Sequence, residues 1–435
     1  MTTEGHAKDQ MSKDYFTFMG TAGERVLISA EAVSQIMPAP SPTEQNIIDT
    51  VVTLYDSNMN VIAQDDDAWP RINTDSALFT VLPTTGQYYF SVEDCNSAFG
   101  SNAGCAPVGQ VTDFIYQVFV ADVSKLNHPE IYGGTSQDGT TSKGEAIPYA
   151  VQDQMTGDYG FYIIDGDGFN TNPSTQVFSF QVPAALMPAA GTRPRFEFWL
   201  QPIGTNNGDG STSNVTAWVT DMTGTNVIAK ADQVNYKDGD NPDQPLELTA
   251  PVTPGNQYYL FVKDDAASPA AGDFFFFQHY VGSYYGNPIE TEGPGMTGMN
   301  DTAATAQVLT MNAQQPGAYF VDGDIANNGM DVDWFQIDPP AGAKTVSAGC
   351  ASLRSGSGVQ GFTIEIDTAV GTAMPSKLAA STPEVANEDL SLPAANAMTP
   401  LSLPTGTTHA WLKLSATGQD PMNSGTSYRC GVTFQ

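Results

Sequence analysis

The sequence predicts an all-β chain of three tandem β-sandwich domains, and three observations carry that expectation. Short runs alternate apolar with polar residues, as in Gly361–Asp367, where Phe362, Ile364 and Ile366 stand opposite Thr363, Glu365 and Asp367. The chain's 435 residues are punctuated by 41 Gly and 29 Pro, and no helix-length apolar stripe interrupts the strand-sized runs. The most helix-like pieces, Thr302–Met311 and Lys377–Leu392, are short or broken. Finally, one unit recurs: a strand, an acidic turn and an aromatic strand at Asp49–Asp94, Asn214–Asp264 and Gly361–Asp420. This irregular, domain-sized spacing signals tandem domains instead of a short-period solenoid.

The first domain, residues 1–123, opens with Tyr15, Phe16 and Phe18, a turn at Thr21–Glu24 and a return strand at Val26–Ala30. No strand is expected before Tyr15. A Pro-rich loop leads to Asp49, after which Val52 and Leu54 face inward and Thr53 and Tyr55 outward. In Gln87–Val92 the alternation sets Tyr88, Phe90 and Val92 against Tyr89 and Ser91, and Phe114–Val123 closes the domain. The second domain, 124–285, begins with a Gly-, Ser- and Thr-rich extension. Val177–Ala184, Arg195–Ile203, Asn214–Asp232, Leu246–Asp265 and Phe274–Gly282 then repeat the order, with Asn-Val-Ile-Ala at both Asn60–Ala63 and Asn226–Ala229. The third domain, 286–435, follows a Gly/Pro linker and ends in the strand Ser427–Phe434. Turn signals at short intervals in each third suit a sandwich large enough to bury its own core.

Charge and cysteines set the compartment. With 48 acidic against 16 basic residues, the net charge of −32 repels nucleic acid and anionic membranes. No apolar run is long enough to insert in a membrane as a helix. The polar N-terminus lacks the apolar core of a signal peptide, which places the start of the sequence after a processing point or at an added methionine. Cys95 with Cys105, and Cys350 with Cys430, are expected to form two disulfides, which fits an extracellular or bacterial cell-surface protein. Without a CxxC motif and with only four His, zinc is not expected.

With these residues in view, the repeats resemble bacterial pre-peptidase C-terminal domains, the family that includes the collagen-binding domains of clostridial collagenases. Asp331, Asp333, Trp334, Phe335 and Ala341-Gly342 carry its opening motif in the third domain. Leu54-Tyr55-Asp56 and Leu82-Pro83 through Gly86-Gln87-Tyr88-Tyr89 carry the remainder in the first. The resemblance implies jelly-roll-like sandwiches, found on secreted enzymes or surface proteins, with calcium near the N-terminal linker in some relatives.

Calcium is the sharpest chemical expectation, set against the alternative that these acids only form turns and a solvating coat. Asn300, Asp301, Asp322, Asp324, Asp331 and Asp333 offer hard oxygen ligands on loops expected to meet at one end of the third domain, with Glu290 and Glu292 joining from the linker. Asp165 and Asp167 are a weaker echo in the second domain. Asp56–Asn60 begins like a calcium loop, but Val61 stands where glycine is required, so a hairpin turn is expected. Tyr89, Tyr259 and Trp411 recur at equivalent outward positions, where they suit either stacking on a polymer or cover for the sandwich. LPTTG at Leu82–Gly86 is expected to be a turn between strands. Asn214-Val-Thr and Asn300-Asp-Thr have the form of glycosylation sequons.

No HExxH, G-x-S-x-G or P-loop is present. The expectation is a non-catalytic extracellular or cell-surface protein that adheres to a polymer, or assembles with copies of itself into a surface layer or filament. The alternative is an accessory, targeting region of a secreted hydrolase.

Overall fold

The computed structural model describes residues 2–6, 11–32, 48–66, 75–100, 114–122, 144–147, 151–152, 159–166, 175–188, 190–203, 215–232, 246–264, 274–282, 288–292, 299–313, 315–325, 331–384, 390–392 and 400–435. Strand after strand alternates as its sequence demands, and each third of the chain folds two facing sheets around its inward side chains. In module one the strands are β1 (Thr2–His6), β2 (Lys13–Gly20), β3 (Arg25–Ala32), β4 (Thr50–Tyr55), β5 (Val61–Asp65), β6 (Ser76–Val81), β7 (Gly86–Asp94) and β8 (Ile115–Asp122). They pair in the orders β1-β8-β3-β6 and β2-β7-β4-β5. That is the strand order of a jelly roll.

Module two repeats it with β9 (Tyr159–Gly166), β10 (Thr175–Gln181), β11 (Arg195–Ile203), β12 (Val215–Thr220), β13 (Val227–Asp232), β14 (Leu246–Pro251), β15 (Gln257–Asp264) and β16 (Phe274–Gly282). The orders are β9-β16-β11-β14 and β10-β15-β12-β13. Module three uses β17 (Ala318–Asp324), β18 (Val332–Gln336), β19 (Thr345–Ala351), β20 (Thr363–Ala369), β21 (Ser376–Ala380), β22 (Leu390–Ser391), β23 (His409–Ser415) and β24 (Ser427–Phe434). Here the sheets run β17-β24-β19-β22 and β18-β23-β20-β21. Two-residue strands extend the sheets of modules two and three at their edges. No helix among the described residues is long and apolar enough to cross a membrane.

Each module has a private apolar core. Val26, Ile28, Val52, Leu54 and Phe90 fill the first. Phe178, Phe180, Phe196 and Phe198 anchor the second, and Phe335, Ile364, Ile366, Leu412 and Val432 the third. The aromatic rings of module two meet edge to face, with Phe180 centroids 5.6 and 5.2 Å from Phe196 and Phe198. The Asp56–Asn60 stretch is a hairpin turn, as its sequence suggests. The Asp56 carboxylate accepts the amides of Asn58 and Asn60, each at 2.8 Å, and leaves no loop for an ion.

One expectation is corrected. A strand does precede Tyr15: β1 pairs along β8 from Thr2 opposite Phe119 to His6 opposite Ile115. An edge strand needs only its backbone to pair, so the polar Thr-Thr-Glu-Gly-His run gave no apolar signal. The start of the helix-like Lys377–Leu392 stretch is the strand β21, bonded to β20.

Cys350 and Cys430 are bonded across neighbouring strands β19 and β24, 80 residues apart in sequence. Cys95 is also disulfide-bonded, while Cys105 lies outside the described residues. Closing a loop of that length restricts the unfolded chain by about 4 kcal/mol. Replacing Cys350 and Cys430 together by Ser should therefore lower the melting temperature of module three while leaving module one's transition in place, as read by calorimetry.

Candidate metal centre

One end of module three gathers carboxylates, and strand alternation decides which of them meet. In β18, Asp333 and Phe335 point to the same side, so Asp333 lies at the margin of the core that Phe335 enters. Asp331 immediately precedes this strand and is buried. The short linker segment 288–292 runs beside β17: Glu290 N–H donates to Asp322 O at 3.0 Å, and Asp322 N–H to Pro288 O at 2.9 Å. This pairing carries Glu290 and Glu292 to the acidic end. Ligand oxygens of Glu292, Asp301 and Asp331 come within 4.8 Å of one another, a spread that one calcium ion can bridge at about 2.3–2.6 Å per bond.

The polar groups here could hold a cation. Glu292 Oε1, Asp333 Oδ1 and Asn300 Oδ1 are buried without a hydrogen-bond partner, and Asn300 and Asp333 are 0% exposed. Such atoms are costly to bury unless something satisfies them. An all-oxygen donor set with four buried carboxylates suits a hard divalent ion, calcium above all. Glu292, Asp301 and Asp331 would hold it, with Asn300, Asp333 and Glu290 beside them.

Tyr428 ties the second rank together. It faces inward from β24, and its hydroxyl lies 2.7 Å from Glu290 Oε2 and 2.9 Å from Asp333 Oδ2. One hydroxyl has one proton to donate, so two carboxyl contacts leave room for a carboxyl proton in the ion-free protein. Burial raises the pKa of both acids. Asp333 beside Glu290, and Asp331 beside Asp333, push them higher. Gly323 permits this approach: a Cβ there would stand 2.3 Å from the Tyr428 hydroxyl and 2.7 Å from Glu290 Oε2.

Asp322 and Asp324, expected among the ligands, are not part of this cluster. Tyr319 and Val321 face the core from β17, so period two turns Asp322 and Asp324 to the opposite side, towards module two. There Arg195 grips Asp322 with Nε–Oδ2 at 2.5 Å and Nη2–Oδ1 at 2.7 Å. Arg193 bonds Asp322 Oδ1 through Nε at 2.8 Å and also pairs with Asp324. Burial alone would raise Asp322, but Arg195 and Arg193 outweigh it and hold its carboxyl below the usual range. Tyr428, Arg193 and Arg195 carried no motif. The available signal was Arg-Pro-Arg at 193–195, two of only 16 basic residues in the chain.

The aromatic candidates occupy matching places in the three modules. Tyr89 stands between Thr17 and Tyr55, Tyr259 between Ser179 and Thr220, and Trp411 between Gln336 and Asp367. Tyr89 and Tyr259 are half-buried. Trp411 is 8% exposed, which decides between its two readings in favour of cover for the sandwich. Around Tyr89 the face is more open: Tyr15 is 54% exposed, with its ring 6.1 Å from that of Tyr55. Lys13 sits 5.9 and 5.8 Å from those two rings, and its ammonium pairs with Glu93 at 2.5 Å. Of the sequons, Asn300 is fully buried and closed to glycosylation, and Asn214 lies outside the described residues, as does Asp167.

No family model matches the chain, and no curated protein does. The resemblance to pre-peptidase C-terminal domains rests on its motifs alone. Among solved structures, the chain is similar to the tandem CBM51 modules of a family 98 glycoside hydrolase from Streptococcus pneumoniae. The identity is 10%, over 64% of this chain and 83% of that one, with a TM-score of 0.19. It is also similar to a tandem CBM22 domain from a Paenibacillus barcinonensis protein, at 12% identity, 59% and 82% coverage and a TM-score of 0.18. TM-scores this low do not equate the folds.

A carboxyl whose folded-state pKa lies above its unfolded value favours the fold less as pH rises through that interval. A divalent ion held by Glu292, Asp301 and Asp331 would favour the charged forms of the neighbouring Glu290 and Asp333, so its stabilising effect should grow with pH. Added Ca²⁺ should raise the melting temperature more at about pH 8 than at about pH 5.5. A chelator should reverse the gain, and Glu292→Gln or Asp331→Asn should abolish it; an unchanged melting temperature at millimolar Ca²⁺ would remove the ion from this site.

Proposed function

We propose that this chain is a non-catalytic binding protein of the cell exterior, calcium-stabilised, whose jelly-roll modules hold an extracellular polymer on their aromatic sheet faces. The observation that carries this reading is the outer face of β2, β7 and β4. Exposed Tyr15 lies against the buried Tyr55, half-buried Tyr89 stands beside Tyr55 in register, and Lys13, paired with the buried Glu93, lies at the margin. Aromatic rings beside charged groups suit a polymer with both C–H faces and hydrogen-bonding groups, as in a polysaccharide or a fibrous protein. A net charge of −32 disfavours polyanions among these.

The equivalent aromatic positions of the other modules support repetition of the scaffold more than of the site. Half-buried Tyr259 stands beside the ring pair Trp218–Phe261 at 5.0 Å, with no exposed aromatic ring next to it among the described residues. Trp411 is enclosed. Adhesion therefore falls chiefly on module one.

The test is co-sedimentation with insoluble cellulose, chitin and collagen. Tyr15→Ala should weaken retention on the polymer that binds by about tenfold, since truncating an exposed aromatic anchor removes on the order of 1–2 kcal/mol. Trp411→Ala should leave retention unchanged. Turnover of any of these polymers, or equal retention by Tyr15→Ala, would overturn the reading.

A further inference from the structure

We infer that the cation centre also governs how modules two and three are held together, through a clamp of buried arginines. The inference rests on the reading of Glu292, Asp301 and Asp331 as an ion site and extends it to the joint between modules.

The clamp consists of two sets of ion pairs running in opposite directions. From module two, Arg193 and Arg195 reach Asp322, Asp324 and the Gly323 carbonyl of module three, the last at 2.7 Å. From module three, Arg429 reaches Glu197 and, at 3.0 Å, Glu247 of module two, while Arg354 meets Glu247 at 3.1 Å. Arg195 is 2% exposed, Glu197 is 0%, and the other partners are buried or nearly so. Removing one side of such a pair leaves an uncompensated buried charge. Backbone bonds reinforce the joint, with Lys230 N–H to Gly356 O and Ser424 N–H to Val227 O, both 2.8 Å.

The linker connects this clamp to the ion site. Ile289 N–H donates to Gly191 O of module two at 2.8 Å, and Ile289 bridges in parallel to Asp322. The next residue, Glu290, accepts the Asp324 N–H at 2.6 Å with Oε1 and the Tyr428 hydroxyl with Oε2. Two residues on, Glu292 enters the ion cluster. Segment 288–292 is thus bonded to module two at Gly191, to the arginine-gripped strand β17, and to the ion site. An ion that fixes Glu292 against Asp301 and Asp331 fixes this segment. The segment in turn holds Asp322–Asp324 where Arg193 and Arg195 meet them. Without the ion, mutual repulsion among Glu292, Asp301 and Asp331 loosens the segment and the joint with it. Linkage makes the effect reciprocal: docking of the arginines must favour ion binding to the same degree.

Spin labels on Met222→Cys and Met374→Cys report the arrangement, since these residues are 63% and 85% exposed, one on each module, and no described cysteine is free. In the full chain with Ca²⁺, pulsed dipolar spectroscopy should give a single narrow distance. A chelator, or Glu292→Gln, should replace it with a broad distribution. Arg193→Gln with Arg195→Gln should weaken Ca²⁺ binding, measured by calorimetry, about tenfold. If Ca²⁺ binds but the distance distribution is the same with and without chelator, the coupling is wrong while the ion site stands. If calorimetry detects no Ca²⁺ binding, the ion site fails and the coupling with it. The chelator arm keeps both arginines, so it decides the matter even if the double variant does not fold.

Discussion

Strand β17 ends in Asp322-Gly323-Asp324, and its alternation exposes acids to module two on one side and a bare glycine to Tyr428 on the other. Around it Glu290, Glu292, Asp331 and Asp333 are all buried too. Two like charges 4 Å apart repel by about 4 kcal/mol at the effective dielectric of a protein near its surface. So many carboxylates cannot all stay ionised without compensating charge. On the outer side the compensation is built into the chain, as Arg193 and Arg195. On the inner side burial and neighbouring carboxylates prevail at Glu290 and Asp333, where protons or a divalent ion would relieve the repulsion. The difference between the two sides explains why Asp322 is held acidic while Glu290 and Asp333 are pushed up.

Much of the fold was legible because a half-buried strand must alternate. Phe362, Ile364 and Ile366 could be placed inward, and Tyr89, Tyr259 and Trp411 assigned to one register, from spacing alone. β1 was invisible because an edge strand is specified by its backbone and carries no apolar code. Within the candidate centre, Glu292, Asp301, Asp331 and Asp333 were readable as oxygen donors near one linker. The fate of Asp322 and Asp324 was not readable. Their partners lie 127 to 131 residues away, across a joint between modules, and no local spacing encodes such a pairing. Tyr428 escaped for the same reason: a tyrosine in an alternating strand reads as core until its hydroxyl's neighbours are known.

The chemistry of the joint also bears on why charge is used there at all. An apolar interface tolerates small slides, because contact between hydrocarbon surfaces has no direction. The guanidinium fork has fixed donor directions and meets a carboxylate in few orientations. Arg195 spans both oxygens of Asp322 with two nitrogens, so a shift of either module breaks both bonds at once. Gly356 and Gly425 add a steric stop, since a Cβ at either would strike module two, 2.8 Å from Leu248 and 2.3 Å from Ile228 O respectively. Salt screens exposed charges over about 8–10 Å but reaches buried pairs poorly. The acid–arginine joint is therefore the part of the electrostatics that persists at high salt. The angle between modules two and three is set by hydrogen-bond direction and glycine contact together.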